Sequence, residues 1–204
     1  MAVPAIVIMC KAPVSGCVKT RLMTAFSADD AARIHMAMAS TVIRRAQRLF
    51  DHVSIAADDP EHPFFAQFGL PVLVQGEGSL GQRMARLLKL EVAACTRPVL
   101  FLGTDSPHMD DARLQEAARH LNSHDVVIGP VEDGGYDLIA LSGDWPVFDA
   151  VEWSSGLVLE QTLANCERLG LSCHLLTTSF DIDTPEDLAR AGNSDWNWKG
   201  HLQQ

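Results

Sequence analysis

Short apolar runs alternate with longer helix-like segments along nearly the whole chain, and this alternation restricts the fold more than any other feature. AIVIMC (5–10), HVSIAA (52–57), PVLVQ (71–75), PVLFLG (98–103) and DVVIGP (125–130) form the first set, followed by YDLIAL (136–141) and SCHLLT (172–177). Runs of this length and composition read as strands, several of them apolar on both faces. Between them, segments around 28–49, 80–95, 111–121 and 157–169 carry helical spacing. Ser27 three residues before Asp30, and Thr184 three before Asp187 with Pro185 between, have the spacing of helix N-caps. In such caps a side-chain oxygen takes an otherwise orphaned backbone N–H. Strands alternating with helices of this length require crossover connections and a mainly parallel sheet covered on both faces. The expectation is a three-layer α/β/α domain.

With 204 residues and 47% hydrophobic content, the chain is sized for one domain spanning 1–204. The segment from 192 to 204, which contains NSDWNWKGHLQQ, breaks the pattern and is expected to be a loosely docked tail. Sixteen Lys and Arg against 26 Asp and Glu give a net charge of −10, which argues against a sequence-independent grip on nucleic acid and leaves room for a small anionic ligand. Cys10, Cys17, Cys95, Cys166 and Cys173 are odd in number and form no C-x-x-C pair, so they read as reduced thiols in a cytoplasmic protein. No apolar stretch is long enough to span a bilayer, and neither membrane insertion nor export is expected. The oligomeric state is left open.

In an α/β sheet, ligands gather where strands end at the carboxyl edge. The polar motifs follow strands accordingly: KAPVSGCVKTRL after the first, TDSP after PVLFLG, VEDGGY after DVVIGP, and DIDTPEDL after the last. Lys11, Lys19 and Arg21 are the only formally charged side chains before Asp29, so the first loop carries a positive local field within an acidic chain. Gly16 permits a tight turn, Lys offers a point charge and Arg a planar fork, a combination suited to phosphate oxygens. A solvated basic loop is the competing reading, and the spacing is not that of a Walker A loop. Asp105, just past a strongly apolar strand, suits a hard cation such as Mg2+, which takes one or two carboxylates and completes its shell with water and phosphate oxygens. A helix cap or an Asx turn beside Pro107 is the alternative for Asp105. Asp181 and Asp183 alternate along an extended segment and are expected to point to opposite sides, with one of them facing the site.

Together KAPVSGCVKTRL, LGQRM, GTDSP, GPVEDGGYDLIAL, EWSSGLVLEQTL and DIDTPEDL resemble the rSAM/selenodomain-associated transferase 1 family. That family is glycosyltransferase-like, related to 2-phospholactate guanylyltransferase, and part of the nucleotide-diphospho-sugar transferase superfamily. The resemblance covers residues 5 to about 191. It implies a Rossmann-like sheet of GT-A type, a nucleoside triphosphate or nucleotide sugar as donor, a small-molecule acceptor, and Mg2+ or Mn2+. Residue by residue, it implies that Lys11, Gly16, Lys19 and Arg21 contact phosphate and that Asp105 and Asp183 bind the metal. Gly81 and Arg83 stand where relatives contact base or ribose, and Glu132, Gly134, Gly135, Tyr136, Trp153 and Ser154 would form the acceptor side. Asp105, Asp133 and Lys19 are the expected catalytic groups. The chain departs from the family at Cys17, where a basic residue is common, and has no full D-x-D around Asp105. The histidines His35, His52, His62, His108, His120, His124, His174 and His201 are read as surface or satisfied core groups, and zinc chemistry is not expected. The resulting expectation is a metal-dependent glycosyl- or nucleotidyltransferase, with a non-catalytic nucleotide-binding scaffold as the alternative.

Overall fold

The seven apolar runs pair into one sheet in a computed structural model that describes residues 3–95, 97–192, 196 and 198. The strands are β1 (Ala5–Cys10), β2 (Val53–Ala57), β3 (Val72–Val74), β4 (Val99–Leu102), β5 (Val126–Pro130), β6 (Tyr136–Leu141) and β7 (Cys173–Leu175), in spatial order β3-β2-β1-β4-β6-β5-β7. β1–β2, β1–β4, β2–β3 and β5–β7 are parallel, whereas β6 runs antiparallel to both β4 and β5. The reversal follows from chain length. Only residues 131–135 separate β5 from β6, too few for the crossover that a parallel neighbour needs.

Helices α1 (Ala28–Leu49), α2 (Leu80–Cys95), α3 (Asp111–His120), α4 (Val158–Arg168) and α5 (Pro185–Ala191) flank the sheet. Ser27 caps α1 by accepting the Asp30 N–H at 3.0 Å. Thr184 and Asp187 close a reciprocal capping box at α5, with Pro185 in the first helical turn, where its missing N–H costs nothing. α3 is capped by Asp110, not Asp105, so a cap does not account for Asp105.

Alternate residues of each central strand enter separate cores, as pleating requires. Ile6, Ile8, Leu100, Leu102, Leu138 and Ala140 pack on one face with Val42 and Ile43 of α1 and Leu114 of α3. Val7, Phe101, Ile139 and Leu141 pack on the other with Met84, Leu87 and Leu88 of α2 and Cys166 of α4. The result is the three-layer α/β/α, Rossmann-like GT-A arrangement expected from the sequence.

A third apolar cluster lies off the sheet edge, where Leu22, Ile34 and Met38 meet Ile182, Leu188 and Trp196. Leu22 belongs to a 3-10 turn over Thr20–Thr24, so this cluster pulls the first loop against the DIDTPEDL segment. Trp196, in the stretch expected to be a loose tail, is buried there and donates its indole N–H to Thr41 Oγ1 at 3.0 Å. Trp198 meets Phe26 edge-on at 5.6 Å. Residues 193–195, 197 and 199–204 of that stretch, and the Cys95 side chain, lie outside the described residues. Among the described residues, no helix is long and apolar enough to cross a membrane.

Candidate functional site

β1, β4, β5 and β7 all end at one edge of the sheet, and β6, running the other way, brings its first residues to the same edge. There the Lys19 ammonium lies 2.8 Å from Asp105 Oδ1 and 2.9 Å from Asp183 Oδ1, and it donates to the Ile182 carbonyl at 2.7 Å. The Lys19 side chain is 6% exposed, and its backbone is left-handed at φ 46°. A non-glycine residue in that region carries strain that persists only where surrounding contacts over-determine it. The third apolar cluster supplies one such constraint and the two carboxylates the other. Arg21 Nη1 stands 3.3 Å from Asp183 Oδ2 at the surface of the same group.

Burial alone would push the Lys19 ammonium down, but Asp105 and Asp183 outweigh it and hold the pKa above the usual lysine value. For Asp105, burial pushes up and Lys19 outweighs it, so the carboxyl is held below its ordinary range. Two carboxylates thus converge on one cationic point, one from the end of β4 and one from the turn before α5.

Two adjoining cavities of 530 and 640 Å3 meet at this group. Met9, Arg21, Asp105, Asp137, Asp181 and Asp183 are among the residues lining both. The larger cavity adds Lys11, Lys19 and Arg83 to the shared Arg21 and aspartates, with Cys17 at its side. The other carries Met84, Phe101, Tyr136 and Trp153 beside Asp133, Ser154 and Gly135.

Several expected site residues are placed elsewhere than in these walls. Gly16, at φ 78°, makes the turn of the first loop but lines neither cavity. Gly81 is seated against the Trp153 indole, where any Cβ would collide, so its contact is with the protein. Gly134, at φ 88°, packs on the Gly156 carbonyl and likewise lines neither cavity. Glu132 is turned outward into a two-pronged ion pair with Arg190 at 2.7 and 2.8 Å. Asp133 remains in the second cavity, with Oδ1 accepting the Gly135 N–H at 2.9 Å.

Other residues of the site were not expected. Asp181 lines both cavities together with Asp183, contrary to the expected alternation, because the segment around them is irregular chain and not a strand. Its Oδ1 accepts from Ser106 Oγ at 2.6 Å, and burial followed by the Asp105 charge pushes its pKa up to about 7. Gln75 ties the ends of β1 and β2 by donating to the Cys10 and Ala56 carbonyls at 3.3 and 2.7 Å, and its Oε1 accepts from Arg83. Asp137, at the start of β6, is forked by Arg113 of α3 at 2.9 and 3.0 Å. Gly129 leaves room for that fork, since a Cβ there would run into both partners.

His108, three residues past Asp105, stacks on Phe180 with ring centroids 3.9 Å apart. Burial, then the charges of Arg190, Arg113 and Arg45, push its pKa down to about 4. The unfolded chain therefore takes up a proton between about pH 6.5 and 4 that the folded chain refuses, so this group lowers stability as pH falls through that window. His108→Gln is expected to remove roughly 2 kcal/mol of the stability lost between pH 7 and pH 4.5. Urea titrations at both pH values check this, and an unchanged difference between them would mean that His108 titrates normally.

Three of the histidines come together outside the cleft. His120 and His124 stand four residues apart, and β7 brings His174 to them, so the three form a cluster with metal-ligating atoms within 4.8 Å of one another.

Among solved structures, the chain is similar to a candidate nucleotide-diphospho-sugar transferase from Desulfovibrio desulfuricans G20, with 25% identity, a TM-score of 0.88, and 100% of this chain and 95% of that chain covered. CMP:2-keto-3-deoxy-manno-octonic acid synthetase complexed with CTP matches at 13% identity and TM-score 0.62, covering 93% of this chain and 96% of that one. A cytidylyltransferase from Leptospira borgpetersenii serovar Hardjo-bovis matches at 13% and 0.60, with 100% and 93% covered. At these lower identities the likeness is one of fold. No curated protein matches the chain. A family model matches residues 20–155, from the 3-10 turn after Lys19 through Ser155 on the second cavity wall, and the chain belongs to that family, DUF2064, described as an uncharacterized protein conserved in bacteria.

Proposed function

We propose that the protein is a nucleotide-utilising transferase that moves a group from a nucleotide-activated donor to a small-molecule acceptor across the wall between its two cavities. The observation that carries this reading is the division of the cleft. A cavity that carries Lys11, Lys19, Arg21 and Arg83 for donor phosphates and an aromatic-walled cavity suited to an acceptor share the carboxylates Asp105, Asp181 and Asp183. Both volumes fall in the range of small-ligand sites. The similarity to a candidate nucleotide-diphospho-sugar transferase at 25% identity over the whole chain supports the same reading.

In the proposed reaction Lys11, Arg21 and Arg83 hold donor phosphates, and the Tyr136 and Trp153 rings bound the acceptor. Either an acceptor oxygen attacks the α-phosphorus of a nucleoside triphosphate and pyrophosphate leaves, or an acceptor hydroxyl attacks an anomeric carbon and a nucleoside diphosphate leaves. Both routes build negative charge on the departing phosphates, where fixed cations are most effective. Five aspartates line the acceptor cavity; Asp105 and Asp183 are paired with Lys19 and Asp137 with Arg113, which leaves Asp133 and Asp181 as the candidates to receive the acceptor's proton. The residues also fit the Mg2+ or Mn2+ that the resemblance implies, because Asp105 and Asp183 already direct oxygens to one cationic centre, now taken by Lys19. Such an ion would neutralise phosphate charge at the point of transfer. Lys19 would then turn toward the phosphates.

The test supplies nucleoside triphosphates or nucleotide sugars with Mg2+ and a pool of small-molecule acceptors, and measures released pyrophosphate and nucleoside diphosphate separately. The product distinguishes nucleotidyl from glycosyl transfer. Nucleotide binding with release of neither product would favour the scaffold alternative. Within the same reading, Arg21→Ala is expected to weaken triphosphate binding about tenfold, the size of one charge-assisted contact, with little effect on the bare nucleoside. Calorimetric titration at two salt concentrations checks this. Equal losses for nucleoside and triphosphate would mean that Arg21 does not touch phosphate.

A further inference from the structure

Away from the cleft, three imidazoles, from α3, the turn after it and the edge strand β7, meet at one side of the sheet. His120 ends α3, His124 lies four residues on in the turn before β5, and His174 sits on β7 opposite Val127 of β5. From Val127 to the end of β5 at Pro130 the strand runs roughly 10 Å at the usual rise, and this separates His174 from the loops that form the cleft. None of the three lines either cleft cavity. Each ring is half-buried, and the metal-ligating atoms lie within 4.8 Å of one another.

Polar neighbours can hold one of these rings ready as a ligand. His124 Nδ1 lies 3.0 Å from the Ser123 hydroxyl and 3.2 Å from the His120 carbonyl, so in the tautomer that donates Nδ1–H to the carbonyl Nε2 keeps its lone pair free to bind. A carbonyl that accepts the second ring N–H is the usual outer support of a metal-bound histidine. Glu116, one turn before His120 on α3, places a carboxylate oxygen 3.9 Å from His120 Nε2 and so supplies negative charge beside the cluster. Asp125, the next residue after His124, is engaged by the Ser172 N–H and hydroxyl at 2.9 and 2.7 Å, which steadies the connection between the two elements.

We propose that His120, His124 and His174 form a binding site for a divalent transition cation of the zinc class, separate from the cleft and fastening the end of α3 to the edge strand β7. Neutral imidazoles favour Zn2+ and its neighbours over Mg2+, which prefers oxygen. The His120 and His174 rings lie parallel with centroids 3.5 Å apart. Binding therefore rotates these half-exposed rings until their nitrogens stand roughly 3.3 Å apart around a tetrahedral ion, with the fourth position left to water or Glu116. β7 is only three residues long and paired on one side, so a clamp here restrains a strand with few other bonds.

The test uses the full chain freed of any affinity tag and stripped of metal. ZnCl2 is titrated calorimetrically, and CoCl2 is followed by visible absorption, which reports four-coordinate geometry. One equivalent is expected to bind, with a rise in melting temperature of roughly 5 °C or more at saturating zinc. His174→Ala and, independently, His124→Ala are expected to weaken binding at least tenfold and to abolish the four-coordinate cobalt spectrum. Asp105→Asn is expected to leave both unchanged. Circular dichroism confirms the fold of each variant, and His120→Asn replaces any that fails to fold. No stoichiometric zinc binding would overturn the proposal, as would zinc binding that survives the histidine substitutions or disappears in Asp105→Asn.

Discussion

Under the proposed function, asparagine in place of Asp105 is expected to lower turnover of the nucleotide donor by about 10²- to 10³-fold, the order of loss when one preorganised stabilising group is removed from an active site. The substitution keeps the shape of the side chain, and the Asp105 backbone carbonyl still accepts the Ile182 N–H at 2.9 Å, so the loop geometry survives. The charge does not. Lys19 loses the nearer of its two carboxylates, at 2.8 Å, and the point shared with Asp183 no longer concentrates negative charge for a divalent ion. A companion measurement separates the neighbouring aspartates. Asp183→Asn should weaken Mg2+ or Mn2+ binding more than Asp181→Asn, because Asp183 shares the cation point whereas Asp181 is engaged by Ser106 at 2.6 Å. Steady-state turnover with a thermal-shift titration of the metal reads both effects. Undiminished turnover in Asp105→Asn would remove Asp105 from the chemistry, and the reverse order of the other two would assign the shared point to Asp181.

The sheet was readable in the sequence because β1, β4 and β5 are buried on both faces and therefore appear as continuous apolar runs. The α1 and α5 starts were readable for a local reason as well, since a cap is set by residues three apart. The antiparallel course of β6 was not assigned, although the five residues between it and β5 already required it.

At the cleft, local signals located the loops but not the pairings between them. Lys19 meets Asp183 across 164 positions, in a tertiary contact that accompanies the gathering of Leu22, Ile182 and Leu188 into one cluster. Arg113 and Asp137 are similarly hidden. One lies on a helix and the other in a strand, YDLIAL, that otherwise reads as a continuous apolar run. For the histidines, the spacing of His120 and His124 was present in the sequence, but the third member arrives through the pairing of β5 with β7, which no local pattern encodes.

Arg113→Ala is expected to destabilise the protein by about 3–5 kcal/mol at pH 8, the cost of leaving a buried carboxylate without its partner. The Asp137 carboxylate is 1% exposed and held by Arg113 Nε and Nη2 at 2.9 and 3.0 Å. The same guanidinium donates to the Thr177 carbonyl at 2.6 Å, so α3, β6 and the segment after β7 are joined at one point in the cleft wall. Burial pushes the Asp137 pKa up to about 6 against the opposing pull of Arg113. Without Arg113 it climbs further, while in the unfolded chain it returns to about 3.9. The folded variant then holds a proton that the unfolded chain releases, so its stability falls as pH rises through this window. The deficit relative to wild type should accordingly be smaller near pH 5, where a protonated Asp137 needs no partner, and larger at pH 8. Replacing both partners with apolar residues, Arg113→Met with Asp137→Leu, should recover much of the loss, because it is the unpaired charge and not the missing pair that is costly. Guanidinium titrations of the single and double variants at pH 5 and pH 8 measure all three quantities. A loss below about 1 kcal/mol that does not change with pH would mean that water reaches Asp137 and that the pair behaves as a surface contact.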